Sequence, residues 1–103
     1  MNRYQLGIAG YGIAETIDMT ADDHNISDND IVESILGGKK KSYKILVDRH
    51  QRNAYSFARG MVGNHEDAYD LSQEAFVRAY NNLNWFNPVY PFRIWFYKIL
   101  SRM

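Results

Sequence analysis

Residues 67–80 read Asp-Ala-Tyr-Asp-Leu-Ser-Gln-Glu-Ala-Phe-Val-Arg-Ala-Tyr, and their spacing decides the fold class. Ala68, Leu71, Ala75, Phe76, Ala79 and, just beyond, Leu83 recur at three- and four-residue steps. That is the period of one buried helix face, not the two-residue alternation of a strand. Asn64 offers an N-cap oxygen, and Glu66 and Asp67 place negative charge in the first turn, where the helix dipole favours it. The same register collects Asp67, Asp70 and Glu74 on a face opposite Leu71, Ala75 and Phe76, with Gln73 and Val77 beside the carboxylates.

Upstream, Gly63 suits the left-handed residue that ends a preceding helix. That helix is expected from about Lys40 to Val62, on the apolar positions Tyr43, Leu46, Val47, Ala54, Phe57, Ala58 and Met61. Before it, Ser27 with Asp30 resembles an N-cap and acidic first turn; Ile31, Ile35 and Leu36 form a stripe, and Gly37-Gly38 stops the helix. Residues 1–26 show no sustained period and read as an acidic, mobile N-terminal arm. Downstream, Pro88 and Pro91 interrupt the pattern from Asn84 to Pro91. A last helix starts near Phe92 and is still running at Met103, so the domain over residues 27–103 is expected to be truncated at its C-terminus. The expected fold is all-α, a compact three- to four-helix bundle.

A net charge of zero conceals segregation. Residues 1–33 carry seven carboxylates against Arg3, and residues 34–63 carry seven cations against Asp48. Residues 64–83 return to net negative, while residues 84–103 hold Arg93, Lys98 and Arg102 with no carboxylate at all. Such blocks create local fields of opposite sign along one small chain. The chain has no cysteine, which excludes disulfides and thiolate metal sites. No apolar run approaches the ~20 residues of a membrane span, so no membrane insertion is expected. The N-terminus lacks the basic-then-apolar order of a secretory signal, and a cytoplasmic location is expected.

Two segments carry the chemistry. The acidic face of Asp67, Asp70 and Glu74 is of a kind that is commonly only solvated; interrupted by Gln73 and Val77, it also fits a basic partner helix. No histidine is in phase with those carboxylates, His50 sits on the inner edge of its helix, and no phosphate loop, nucleophile elbow or zinc motif occurs. Neither catalysis, metal nor cofactor is expected. The second segment is aromatic: Trp85, Phe86, Tyr90, Phe92, Trp95, Phe96 and Tyr97. Phe92, Phe96 and Ile99 are expected in the core. Trp95 and Tyr97 are expected exposed beside Arg93, Lys98 and Arg102, offering unpaired bases a stacking surface and phosphates their counter-charge.

Taken together, Asp67-Ala68-x-Asp70-Leu71-x-Gln73-Glu74-x-Phe76-x-Arg78-Ala79, followed by Phe92-Arg93-x-Trp95-x-Tyr97-Lys98-Ile99, resembles region two of bacterial RNA polymerase sigma factors of the extracytoplasmic-function group. The resemblance covers roughly Ser27 to Met103 and does not reach the family's second, minus-thirty-five-binding domain. It implies a non-enzymatic bundle that docks on the clamp coiled coil of the largest subunit of core RNA polymerase through Asp67, Asp70, Leu71, Gln73, Glu74 and Val77. It further implies recognition and melting of the minus-ten promoter element, with capture of a flipped single-stranded base. The matching residues are Trp85 and Asn87 in the loop and Arg93, Trp95, Tyr97, Lys98 and Arg102 in the helix. An anti-sigma factor is a further implied partner. Members often have Asn where this chain has Arg102, and the Lys39–Lys44 cluster is unusually basic. A different expectation for the same chain is a truncated, stand-alone helical interaction protein that titrates polymerase or an anti-sigma factor.

Overall fold

The computed structural model describes residues 26–103. The arm expected over residues 1–26 thus lies, save for Ile26, outside the described residues. What is described is all helical: α1 (Asp28–Leu36), a 3-10 turn (Lys40–Ser42), α2 (Tyr43–Met61), α3 (His65–Asn81), a second 3-10 turn (Leu83–Trp85) and α4 (Phe92–Ser101). No strand occurs among the described residues.

The start and stop signals act largely as read. Ser27 Oγ accepts the Asp30 amide at 3.1 Å, and Asn64 Oδ1 accepts the Asp67 amide at 2.8 Å. Each satisfies an amide that has no partner within its own helix. α1 ends at Gly37, and Gly38 takes a left-handed φ of 116° that a side chain would strain. Gly63 does not play the corresponding role. α2 closes at Met61 because Val62 is extended, at φ −126° and ψ 156°, and Asn64 is extended as well. A taut three-residue connection replaces the left-handed cap. α4 spans Phe92–Ser101, and the Arg102 and Met103 amides turn to the Ile99 and Leu100 carbonyls.

α2 and α3 form an antiparallel pair. At one end Tyr43 meets Tyr80 edge-on at 5.0 Å, and at the other the Tyr55 hydroxyl hydrogen-bonds His65 Nδ1. Ala54 and Ala58 on α2 and Ala68, Ala75 and Ala79 on α3 are fully buried. Residues of this size let two helix backbones approach closely, and the seam then excludes water. The Tyr43 hydroxyl donates to the Phe76 carbonyl at 2.5 Å, which satisfies a phenol in the interior.

α4 lies over α3 through aromatic rings. Phe76 and Phe96 stack at 4.5 Å, Phe92 and Phe96 at 5.9 Å, and Phe86 meets Phe92 edge-on at 6.0 Å. α1 adds Ile31, Val32 and Ile35 to the same core. Three residues expected inside are not. Leu36 is exposed because the chain leaves the core at Gly37, and Phe57 and Met61 are exposed on α2, where Phe57 stacks on Tyr97 of α4.

Candidate nucleic-acid interface

The first turn of α1 organises one end of the bundle. Arg49 Nη1 donates to Asp28 Oδ1 at 2.8 Å, and His50 Nε2 lies 2.7 Å from Asp28 Oδ2. Burial alone would raise the Asp28 carboxyl, but the bonds from His50 and Arg49 outweigh it and hold the carboxyl below its ordinary value. The His50 ring rests against Phe92, at 5.6 Å, where α4 begins. Next to Asp28, the Asn29 carboxamide reaches the loop before α4. Its Nδ2 donates to the Pro88 and Tyr90 carbonyls at 3.0 and 3.1 Å, and its Oδ1 accepts the Phe92 amide at 3.1 Å.

That loop and the 3-10 turn before it present the most exposed large hydrophobic side chains among the described residues: Val89 at 79%, Trp85 at 77% and Tyr90 at 55%. Asn87 Oδ1 accepts the Val89 amide at 3.0 Å and shapes the turn. Lys98 sits 5.9 Å over the Tyr90 ring, and Arg93 and Ile94 in α4 and Arg102 at its C-terminal cap are exposed. The result is a cationic stretch with two exposed rings and no carboxylate in its sequence.

Trp95 and Tyr97 are not the exposed stacking pair that their neighbouring cations suggest. Trp95 is half-buried, packed against Phe86 at 5.3 Å and Phe92 at 5.9 Å. Tyr97 is half-buried too, its face covered by Phe57 of α2 at 5.3 Å and nearly parallel, at 8°. Burial raises the Tyr97 hydroxyl above its ordinary pKa against the opposing field of Arg93. The rings left open are Trp85 and Tyr90. Ile99, expected in the core, is only half-buried.

On α3, Asp67 and Asp70 are exposed as expected, and Glu74 and Val77 are half-buried at the border. Asp67 Oδ2 also accepts from Asn64 Nδ2 at 2.8 Å, so this carboxylate is shared with the helix cap. Glu74 lies 3.6 Å from Arg78. Gln73 departs from expectation: it is 3% exposed, not on the outer face. A helix turns about 100° per residue, which carries Gln73 a quarter-turn from Glu74 and toward α2. There it lines a groove with Gln51, Arg52, Tyr55, Tyr69 and Ser72. Leu71, expected in the buried stripe, is half-buried on the other edge of the helix.

Among the described residues, no group of three histidine or acidic side chains is placed to hold a metal ion, and no helix is long and apolar enough to cross a membrane. The all-helical fold agrees with what comparison with known proteins finds. The Sigma-70 region 2 family model matches residues 46–103. The chain is 31% identical over 72 residues to the ECF RNA polymerase sigma factor SigW of Bacillus subtilis, covering 70% of this chain and 38% of SigW. It is 32% identical to the RNA polymerase sigma-H factor of Pseudomonas aeruginosa, covering 70% and 37% of the two chains. Against the ECF RNA polymerase sigma-E factor of Escherichia coli K12 it is 34% identical over 74 residues, covering 72% and 38%. The chain thus spans well under half the length of these relatives. No solved structure matches it significantly.

Proposed function

This chain belongs to the Sigma-70 region 2 family, as carried by ECF RNA polymerase sigma factors, and from that premise we propose that it joins core RNA polymerase to the minus-ten element of a promoter. The observation that carries the reading is the separation of two faces on one small core. Asp67 and Asp70 stand out on α3, while Trp85, Tyr90, Arg93, Lys98 and Arg102 are exposed in a loop and helix whose own sequence holds no carboxylate.

The acidic face docks on the clamp coiled coil of the largest polymerase subunit. Asp70 makes the outward charge contact, Glu74 and Val77 border it, and the groove beside Gln73 accepts an inserted side chain. Charge complementarity guides the encounter and fixes orientation. At the other edge, an unpaired base from the melted strand stacks on Trp85 or Tyr90, and Arg93, Lys98 and Arg102 neutralise its phosphates. Extruding a base costs a few kcal/mol, and stacking returns ~1–3 kcal/mol per base. Trp95 and Tyr97 serve as the wall on which that edge is built, and Asn87 sets its turn. The role is binding rather than catalysis. It is exercised in the cytoplasm where polymerase works, and an anti-sigma factor would compete for the same faces.

The test is retention of purified core polymerase by the immobilised chain and by Asp70→Arg. Wild type should hold the enzyme and the variant should lose at least about tenfold in affinity, with its melting curve unchanged because Asp70 is exposed. Equal retention by both would remove the acidic face from the account.

A further inference from the structure

We infer that Asn29, on a helix remote in sequence from the nucleic-acid edge, is the positioning residue that holds that edge ready for a base; the inference rests on the reading of the edge as a single-strand surface. The loop supplies part of its own order through the turn at Asn87, whose backbone carbonyl also accepts the Tyr90 amide at 3.1 Å. Its second half is held to the bundle by the Asn29 carboxamide, through the Pro88 and Tyr90 carbonyls and the Phe92 amide. Pro88 and Pro91 contribute no amides of their own to this stretch.

Only a carboxamide can make this set. Two bonds need a donor and the third an acceptor on the same side chain. The acceptor caps α4 at its first residue, where Pro91 has no side-chain oxygen to offer. The donor pair fixes Tyr90, and with it the ring under Lys98. A loop already in its bound shape loses less freedom when a strand docks, which raises affinity without adding a contact to the strand.

Asn29→Asp separates this role from a purely structural one. The carboxylate has nearly the same shape, can still accept the Phe92 amide, and sits in the first turn of α1, where negative charge is favourable. It cannot donate, and it faces two carbonyl oxygens instead. The full chain, assembled on core polymerase, is used to select an oligonucleotide from a random single-stranded DNA pool. That oligonucleotide is then titrated against wild type, Asn29→Asp and Asn29→Ala, while hydrogen exchange follows residues 88–92 in each free protein. Asn29→Asp should exchange faster in the loop and bind the oligonucleotide about tenfold more weakly, a loss that persists at ionic strength high enough to screen the added carboxylate, with polymerase retention as in wild type. Asn29→Ala, which also loses the α4 cap, should add a lower midpoint. Unchanged oligonucleotide affinity in Asn29→Asp overturns the inference and leaves the reading of the edge standing. A wild-type complex that selects no oligonucleotide overturns the reading and the inference with it, even where loop exchange is faster in the variant.

Discussion

The acidic face of α3, proposed to dock on polymerase, and the edge formed by the loop and α4 are reached by the chain in opposite ways. The carboxylates of the α3 face stand on one continuous helix with its own cap at Asn64, and each is placed by the helical turn. The edge is assembled from parts: a short turn at Leu83–Trp85, a proline-bounded loop, the first turns of α4, and a side chain from α1. The first is rigid because its hydrogen bonds are local. The second is ordered only when distant elements meet, and it exposes the larger apolar rings. A surface that recognises a folded helix suits the first construction. One that must admit an extruded base suits the second, whose open rings are not consumed by the core.

The strongest way to break that contrast is to attack what the two regions share. Phe76 lies under both, on α3 and stacked on Phe96 of α4. Phe76→Ala should destabilise the domain by about 3–5 kcal/mol in denaturant unfolding, as for other large buried rings. A cost under about 1 kcal/mol would mean that the faces do not rest on a common core. Next comes a pair of tryptophans that the contrast treats differently. Trp95→Ala, which removes a half-buried ring from Phe86 and Phe92, should cost about 2 kcal/mol of stability, roughly half a full core truncation. Trp85→Ala should leave stability within about 0.5 kcal/mol and instead weaken single-strand binding by ~1–3 kcal/mol. The reverse pattern, read from melting curves and oligonucleotide titration, would exchange the roles of the two rings.

The smallest effect concerns Asp28, where α1 is tied to α2. Its carboxyl is held below its ordinary value of 3.8, so its charged pairs add stability above that pH, and the contribution is lost as pH falls through the lowered value. Asp28→Asn should therefore be less stable than wild type by about 1 kcal/mol near neutral pH, and the gap should close in acid. A gap that is constant from neutral pH to about pH 2 would show that the Asp28 charge contributes nothing.

How legible each region was follows from the same difference. The caps at Ser27 and Asn64, the Gly37-Gly38 stop and the exposure of Asp67 and Asp70 can be read from local sequence, because the residues that decide them are a turn apart. Period gives an angle around a helix but not which neighbour covers that angle, and Gln73 went to the α2 side for this reason. Tyr97 reads as open beside Arg93 until Phe57, on another helix, is brought onto its face. Asn29 carried no signal: it is a polar residue in a first turn, a common place for one, and its partners are 59 to 63 positions away.

That separation has a consequence for how the protein is made. Asn29 leaves the ribosome first, and its partners follow 59 or more residues later. At about 5–20 residues per second, α1 waits several seconds for the segment it holds. Local helices form in about a microsecond, so α2 and α3 can pair while the chain is still growing. The proposed nucleic-acid edge is then the last part of the described domain to be set, after the α3 face proposed to dock on polymerase.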